Sequence, residues 1–255
     1  MNSTMLARPP LSAALAPLRQ GSGAADPRAP LEWAGASGFR WVTLDAATPG
    51  LRPRELDRSG RRDLAALLRR LELGFAGLDL WIPAPHFLDP ALADRALAAA
   101  SEAARLAADI ASLSGGHRIV SVTLPAEMPP PALESLLAHA DSHGVVIADH
   151  AWPPREGEDP ELLGVGIDPA SVLAAGDNPA KAAARLGSRL AVARLSDSSE
   201  IGRVEPGRGH GRLNDLAYTV ALATAGYDRP VVLDLRAVPE PQAAALRALR
   251  WWSGG

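Results

Sequence analysis

The residues that could do chemistry in this chain are mostly acidic and widely spaced. Asp45, Asp79, Asp149, Asp168, Asp197 and Asp234 each stand at or just past the end of a short apolar run. His86 and His150 accompany them, and Arg194 precedes Asp197. Any one such aspartate could simply accept backbone N–H bonds and cap the helix that follows. Asp168, followed by Pro169, has that pattern, with proline at the first helical position. As a group they pose a different problem. Carboxylates gathered at one mouth repel each other and require a cation, a proton or an arginine among them. A metal site, or carboxylates that share proton transfer, is the chemistry this pattern would support.

Composition removes several alternatives. There is no cysteine, which excludes disulfides, thiolate metal sites and cysteine nucleophiles. Of the 26 basic residues all but Lys181 are arginine, so Schiff-base and P-loop lysine chemistry has a single candidate, in a helix-start context. No GxSxG occurs and no serine has positional partners for a hydrolytic triad. A net charge of −3 gives no basic stripe for nucleic acid and no reason to expect a membrane surface. No apolar run reaches the length of a membrane span. The first residues lack a charged segment followed by an apolar core, so a cytoplasmic protein is expected.

The elements that must position these residues alternate. Strand-like runs fall at 39–45, 73–81, 119–124, 145–149, 164–168, 190–196 and 230–235, and a weaker one at 12–18. Helical patterns lie between them at 31–37, 58–71, 90–114, 131–142, 170–175, 180–186 and 214–225, with a last one at 241–252. Such alternation means parallel strands joined by helical crossovers. Eight units in 255 residues is the size of a (β/α)8 barrel. No helix opens with the glycine signature of the rival open nucleotide-binding sheet. The expected organisation is one barrel domain over 31–255, preceded by a proline-rich segment 1–30 that contains the weak first strand.

Three loops stand out. Trp81 to Phe87 is apolar and aromatic, with His86 available to a substrate, and His150 to Pro154 is a second loop of that kind. Gly207 to Arg212 is glycine-rich, and Arg208 and His210 within it could hold a phosphate. His139 and His143, four apart on a helix, read as surface residues. Trp251 and Trp252 would cover the barrel or a partner subunit, and an exposed pair would indicate association.

The segment 164–178 (GVGIDPASVLAAGDN) resembles the sixth strand and following loop of the xylose-isomerase-like TIM barrels, the sugar phosphate isomerase/epimerase superfamily. Ala36-Ser37-Gly38-Phe39, Gly144-Val145, Arg194-Leu195-Ser196-Asp197 and Gly207-Arg208-Gly209 with Asp215 follow the same family order. The resemblance implies an α/β (β/α)8 barrel with one divalent metal, manganese, cobalt or zinc, at its mouth, and isomerase or epimerase activity through an enediolate. It also exposes a departure. Asp168 is kept, but the histidine three residues later is Ser171, and the histidine ligand of strand seven is Arg194. A guanidinium has no lone pair for a metal.

The sequence therefore carries two expectations. In the first, a small sugar or polyol is isomerised at the mouth. Asp149, His150, Asp168 and Asp234 would be the metal ligands, Asp149 and Asp234 would act in proton transfer, and Trp81, His86, Arg194, Arg208 and His210 would contact substrate. In the second, the barrel is non-catalytic or repurposed: Arg194 replaces the metal charge and the protein binds a metabolite or a protein partner. No nucleic acid or membrane is expected in either, and a homodimer is allowed for.

Overall fold

The computed structural model describes residues 8–18, 26, 28–155 and 162–254. Eight strands close into a parallel barrel: β1 (Leu11–Ala14), β2 (Trp41–Asp45), β3 (Gly74–Asp79), β4 (Ile119–Val122), β5 (Val146–Asp149), β6 (Leu163–Ile167), β7 (Leu190–Leu195) and β10 (Val231–Leu233). Each pairs with its neighbour in sequence order. The ring shuts where Leu11, Ser12 and Ala13 of β1 lie in register with Val231, Val232 and Leu233 of β10. The expected fold class holds, and the weak first strand is a full member of the barrel. It is shorter than its apolar run, because Leu15–Leu18 forms a one-turn helix, α1.

The outer layer is α2 (Arg28–Ala36), α3 (Arg58–Arg70), α4 (Ala93–Ser114), α5 (Pro130–Ser142), α6 (Pro169–Ala174), α7 (Pro179–Leu186), α8 (Asp215–Thr224) and α9 (Pro241–Trp252). Their starts follow local chemistry. Asp57, Asn178 and Asn214 accept the N–H of Gly60, Lys181 and Ala217 and so satisfy a free donor of the first turn of α3, α7 and α8. On α3, Leu64, Leu67 and Leu68 recur at helical spacing and are buried, while Arg58, Arg62 and Arg69 face water. Among the described residues no helix is long and apolar enough to cross a membrane.

Two apolar cores result. The larger lies between strands and helices. The smaller fills the barrel with Ala14, Ile119, Ala148, Val192 and Val232. Side chains alternate across a strand, so these interior residues fix the parity of everything above them. Counting on by twos, Arg194 and Ser196 follow Val192, Asp234 and Arg236 follow Val232, and His150 follows Ala148. Asp149 and Asp197 have the opposite parity.

One element lies outside the alternation. β8 (Asp197–Ser199) and β9 (Gly202–Val204) form a short antiparallel hairpin directly after β7. No strand was expected over this stretch. The ends of the described chain are tied together. The Arg8 guanidinium lies 5.1 and 4.8 Å from the rings of Trp251 and Trp252 and pairs with Asp215 at 2.6 Å. The indole N–H of Trp252 donates to the Pro9 carbonyl at 2.7 Å. Trp252 is buried and Trp251 partly so; the pair covers its own chain.

Candidate functional site

The interior parity carries Asp79, Arg194 and Asp234 into the C-terminal mouth, where all three are at most 2% exposed. Arg194 donates to Asp79 Oδ1 at 2.5 Å and Oδ2 at 3.4 Å, and lies 3.6 Å from Asp234. The backbone beneath it is held from outside the barrel. The hydroxyl of Tyr218, on α8, donates to the Arg194 carbonyl at 3.1 Å, and the Ala193 N–H donates to the Tyr227 hydroxyl at 3.1 Å.

Two further arginines complete the cluster. Arg203, on β9 of the hairpin, pairs with Asp168 and with Asp234 at 3.5 Å. Arg236, just past β10, binds both oxygens of Asp234, with its Nε at 2.9 Å from each, and reaches Asp168 at 3.3 Å. Arg194 and Arg236 both stand over the Trp81 ring, at 4.9 and 3.9 Å from its centre. Ser196 donates to Asp168 at 2.5 Å and Ser171 at 2.9 Å. Asp168 heads α6 but makes no side-chain cap bond there; its carboxylate is spent on the mouth. Arg194, Arg203 and Arg236 thus face Asp79, Asp168 and Asp234, equal charges of each sign.

The electrostatics are those of a closed ion-pair network. Burial opposes ionisation of Asp168, but Arg203, the Ser196 hydroxyl and Arg194 outweigh it and hold the carboxyl well below its usual range. Asp234 is also lowered: burial raises it, and Arg236 and Arg194 more than offset that. For Asp79 burial wins over Arg194 and the carboxyl is raised. Arg194 loses hydration, yet Asp79, Asp234 and Asp168 around it hold its proton more tightly than usual.

His150 sits in the same mouth. Its ring lies against Gly166, where a Cβ would fall 2.3 Å from the imidazole, so only glycine leaves room for it. Both ring nitrogens are buried without a hydrogen-bond partner among the described residues, and so is the indole nitrogen of Trp81. Burial, then the charges of Arg194 and Arg236, push the His150 pKa well below the ordinary value, so the imidazole is neutral.

The remaining candidates lie elsewhere. Asp149 points to the helix side: it accepts the N–H groups of Leu124 and Ala151 at 3.0 and 2.9 Å and pairs with Arg155 at 3.1 Å. Its oxygens fasten two loops, which is the capping alternative. Asp197 accepts the N–H groups of Ser198, Arg212 and Leu213 and gathers the loop after the hairpin. Asp45 binds Ala47 N–H and the Thr48 hydroxyl in its own turn. Arg208 and His210 are exposed, with no ion pair or side-chain hydrogen bond among the described residues, and they do not join the mouth. His86 is half-buried in a short 3-10 turn (Ala84–Phe87) and has no side-chain bond there.

The donor set does not suit a divalent cation. Among the described residues no three carboxylate or imidazole side chains come together as a ligand group. Of the four expected ligands Asp149 is engaged outside the barrel, and Asp168 and Asp234 are bound by three guanidiniums. A cation would have to displace those arginines, each permanently charged. Zinc, manganese and cobalt all favour open carboxylate and imidazole donors, and here only His150 is open.

Arg203, Arg236 and the partnership of Asp79 with Arg194 were not singled out from the sequence. The signal for Asp79 and Arg236 was available: they share the parity of Trp81 and Asp234. Arg203 had no such signal, because its strand is three residues long.

No family model matches the chain, and no curated protein does. Its fold does match solved structures. A xylose isomerase domain protein from Planctomyces limnophilus superposes with a TM-score of 0.72 at 16% identity, covering 98% of this chain and 97% of that one. The D-psicose 3-epimerase of Clostridium cellulolyticum H10, solved with D-tagatose, gives 0.61 at 17% identity over 82% and 79%. The IOLI protein, solved with a zinc atom, gives 0.65 at 16% identity over 90% and 92%. The closed eight-strand barrel of this chain is thus the fold of the xylose isomerase-like TIM barrels.

Proposed function

We propose that the barrel mouth binds a small, uncharged, hydroxyl-rich metabolite of the sugar or polyol class, and that it does so without a divalent metal. The observation that carries this reading is the buried Arg194, paired with Asp79 and Asp234 where the family resemblance calls for a metal-binding histidine. The network is balanced in charge, which favours neither an anionic nor a cationic ligand. What it leaves unsatisfied is neutral and polar: the Trp81 N–H and the two nitrogens of a neutral His150. An unmet buried donor or acceptor costs about 1–3 kcal/mol. A hydroxyl both donates and accepts, so it can satisfy either the indole N–H or an imidazole nitrogen.

Proton transfer fits the same residues less well. A useful general base has a pKa near the working pH. His150 lies far below that, the Asp168 and Asp234 carboxylates are stabilised in their charged form, and Asp79, the one raised carboxyl, is engaged by both Nη atoms of Arg194. The barrel is therefore read as a binding protein built on an isomerase fold.

Elemental analysis of the purified protein with titration of aldoses, ketoses and polyols tests this. The indole N–H resonance of Trp81, assigned with Trp81→Phe, should move on ligand addition, and His150→Phe should weaken the response. Stoichiometric manganese, cobalt or zinc that survives dialysis and is lost in Asp168→Ala would overturn the reading. So would metal-dependent sugar isomerisation.

A further inference from the structure

A second charged feature lies on the outside of the barrel and is independent of the mouth. Leu56 and Asp57, the start of α3 and the second half of α4 enclose a cleft of about 430 Å3, lined by Arg58, Arg61, Arg62 and Arg105 with Asp57 and Asp109. Four guanidiniums against two carboxylates leave a formal +2, in a chain whose net charge is −3.

Both carboxylates are engaged. Asp57 Oδ1 accepts the Gly60 N–H that caps α3. Asp109 receives the buried Arg61 at 2.5 Å, and Arg61 also donates to the carbonyls of Leu56 and Pro53. Arg61 is thus a fixed floor. Arg58, Arg62 and Arg105 are exposed and form no ion pair or side-chain hydrogen bond among the described residues. Arg58 and Arg62 are one helical turn apart, a spacing at which like charges repel. An anion in the cleft removes that repulsion.

We propose that this cleft is a binding site for a small phosphate polyanion, carrying two or more negative charges on adjacent phosphoryl groups. Guanidiniums bind phosphoryl oxygens in a planar, two-pronged manner, and several converging forks discriminate a diphosphate from a single tetrahedral ion. The volume is within the range of small-ligand sites.

The test is calorimetric titration with pyrophosphate at low salt, with adenosine diphosphate and sulfate in parallel. Pyrophosphate binds with a Kd of about 100 μM or tighter, and affinity falls with added salt. The double substitution Arg62→Gln, Arg105→Gln weakens it about tenfold or more, whereas Arg236→Gln in the mouth leaves it unchanged. Adenosine diphosphate binding like pyrophosphate assigns recognition to the phosphates alone; binding about tenfold tighter adds the nucleoside. Circular dichroism confirms that the surface variant is folded. Sulfate binding as tightly as pyrophosphate, binding that survives the double substitution, or no binding at millimolar pyrophosphate each overturns the assignment.

Discussion

Arg194→Met is the sharpest perturbation of the mouth. Methionine replaces most of the stem and removes the charge. Asp79, wholly buried, then loses its direct partner, and Asp234 loses one of three. Breaking one side of a buried ion pair costs about 3–5 kcal/mol, because the other charge stays desolvated. Lost contact with the Trp81 face adds about 0.5–1 kcal/mol. Urea unfolding at pH 8 should therefore show a loss of about 3.5–6 kcal/mol. The pH dependence identifies the cause. Asp79 already has a raised pKa in the folded protein, and removal of Arg194 raises it further. A carboxyl raised in this way favours the fold below its unfolded pKa and loses that contribution as pH rises through the folded value. The variant should thus regain stability relative to the parent between pH 8 and pH 5, by up to about 1.4 kcal/mol per unit. Asp79→Asn in the same background removes the stranded charge and should recover about 2 kcal/mol. A loss below about 1 kcal/mol, a loss equal at both pH values, or no recovery with Asp79→Asn would refute the ion-pair account.

Other outcomes follow from the same geometry. Gly166→Ala pushes a methyl into the His150 ring and should cost about 1–3 kcal/mol by thermal or urea unfolding, with His150→Ala restoring part of it. Because His150 is neutral when folded, the unfolded chain takes up a proton that the native one does not. Stability should fall as pH drops below the ordinary histidine value of 6.5, and His150→Gln should remove that share of the slope. Asp168 and Asp234 are lowered, so their contribution persists above the ordinary carboxylate value of 3.8 and disappears as pH falls through their depressed ones; acid titration of Asp168→Asn should show a reduced transition. Asp149→Ala should cost about 1.5–3 kcal/mol, from its loop bonds, and leave ligand response at Trp81 intact.

Most of the barrel could be read from the chain because apolar strand runs alternate with helical patterns, β1 (Leu11–Ala14) being the weakest of them. The acidic strand ends were equally plain, as was the arginine at 194. Which carboxylates meet was harder. Asp149 and His150 are adjacent in sequence but face opposite sides of the sheet, and a one-residue difference in parity decides which enters the mouth. Arg194 was expected to replace a metal's charge among Asp149, Asp168 and Asp234; its shortest contact is with Asp79, from across the barrel. The hairpin that brings Arg203 is made of two three-residue strands, too short for any periodic signal, and its turn at Glu200-Ile201 reads as ordinary loop.

The stitched seam between the first and last strands has a consequence for how the chain acquires its form. Leu11 and Val231, in register across that seam from opposite ends of the chain, must meet before the ring is complete. A nascent polypeptide emerging from the ribosome can stack its early βα units, but it keeps two open sheet margins until the last segment arrives. Contacts of such long span make assembly slow, and the interval before closure is when a partly made molecule is most prone to pair with another. Weakening the Arg8 grip on the two indoles should therefore be felt first in the yield of correctly closed protein, before any effect on what the mouth can bind.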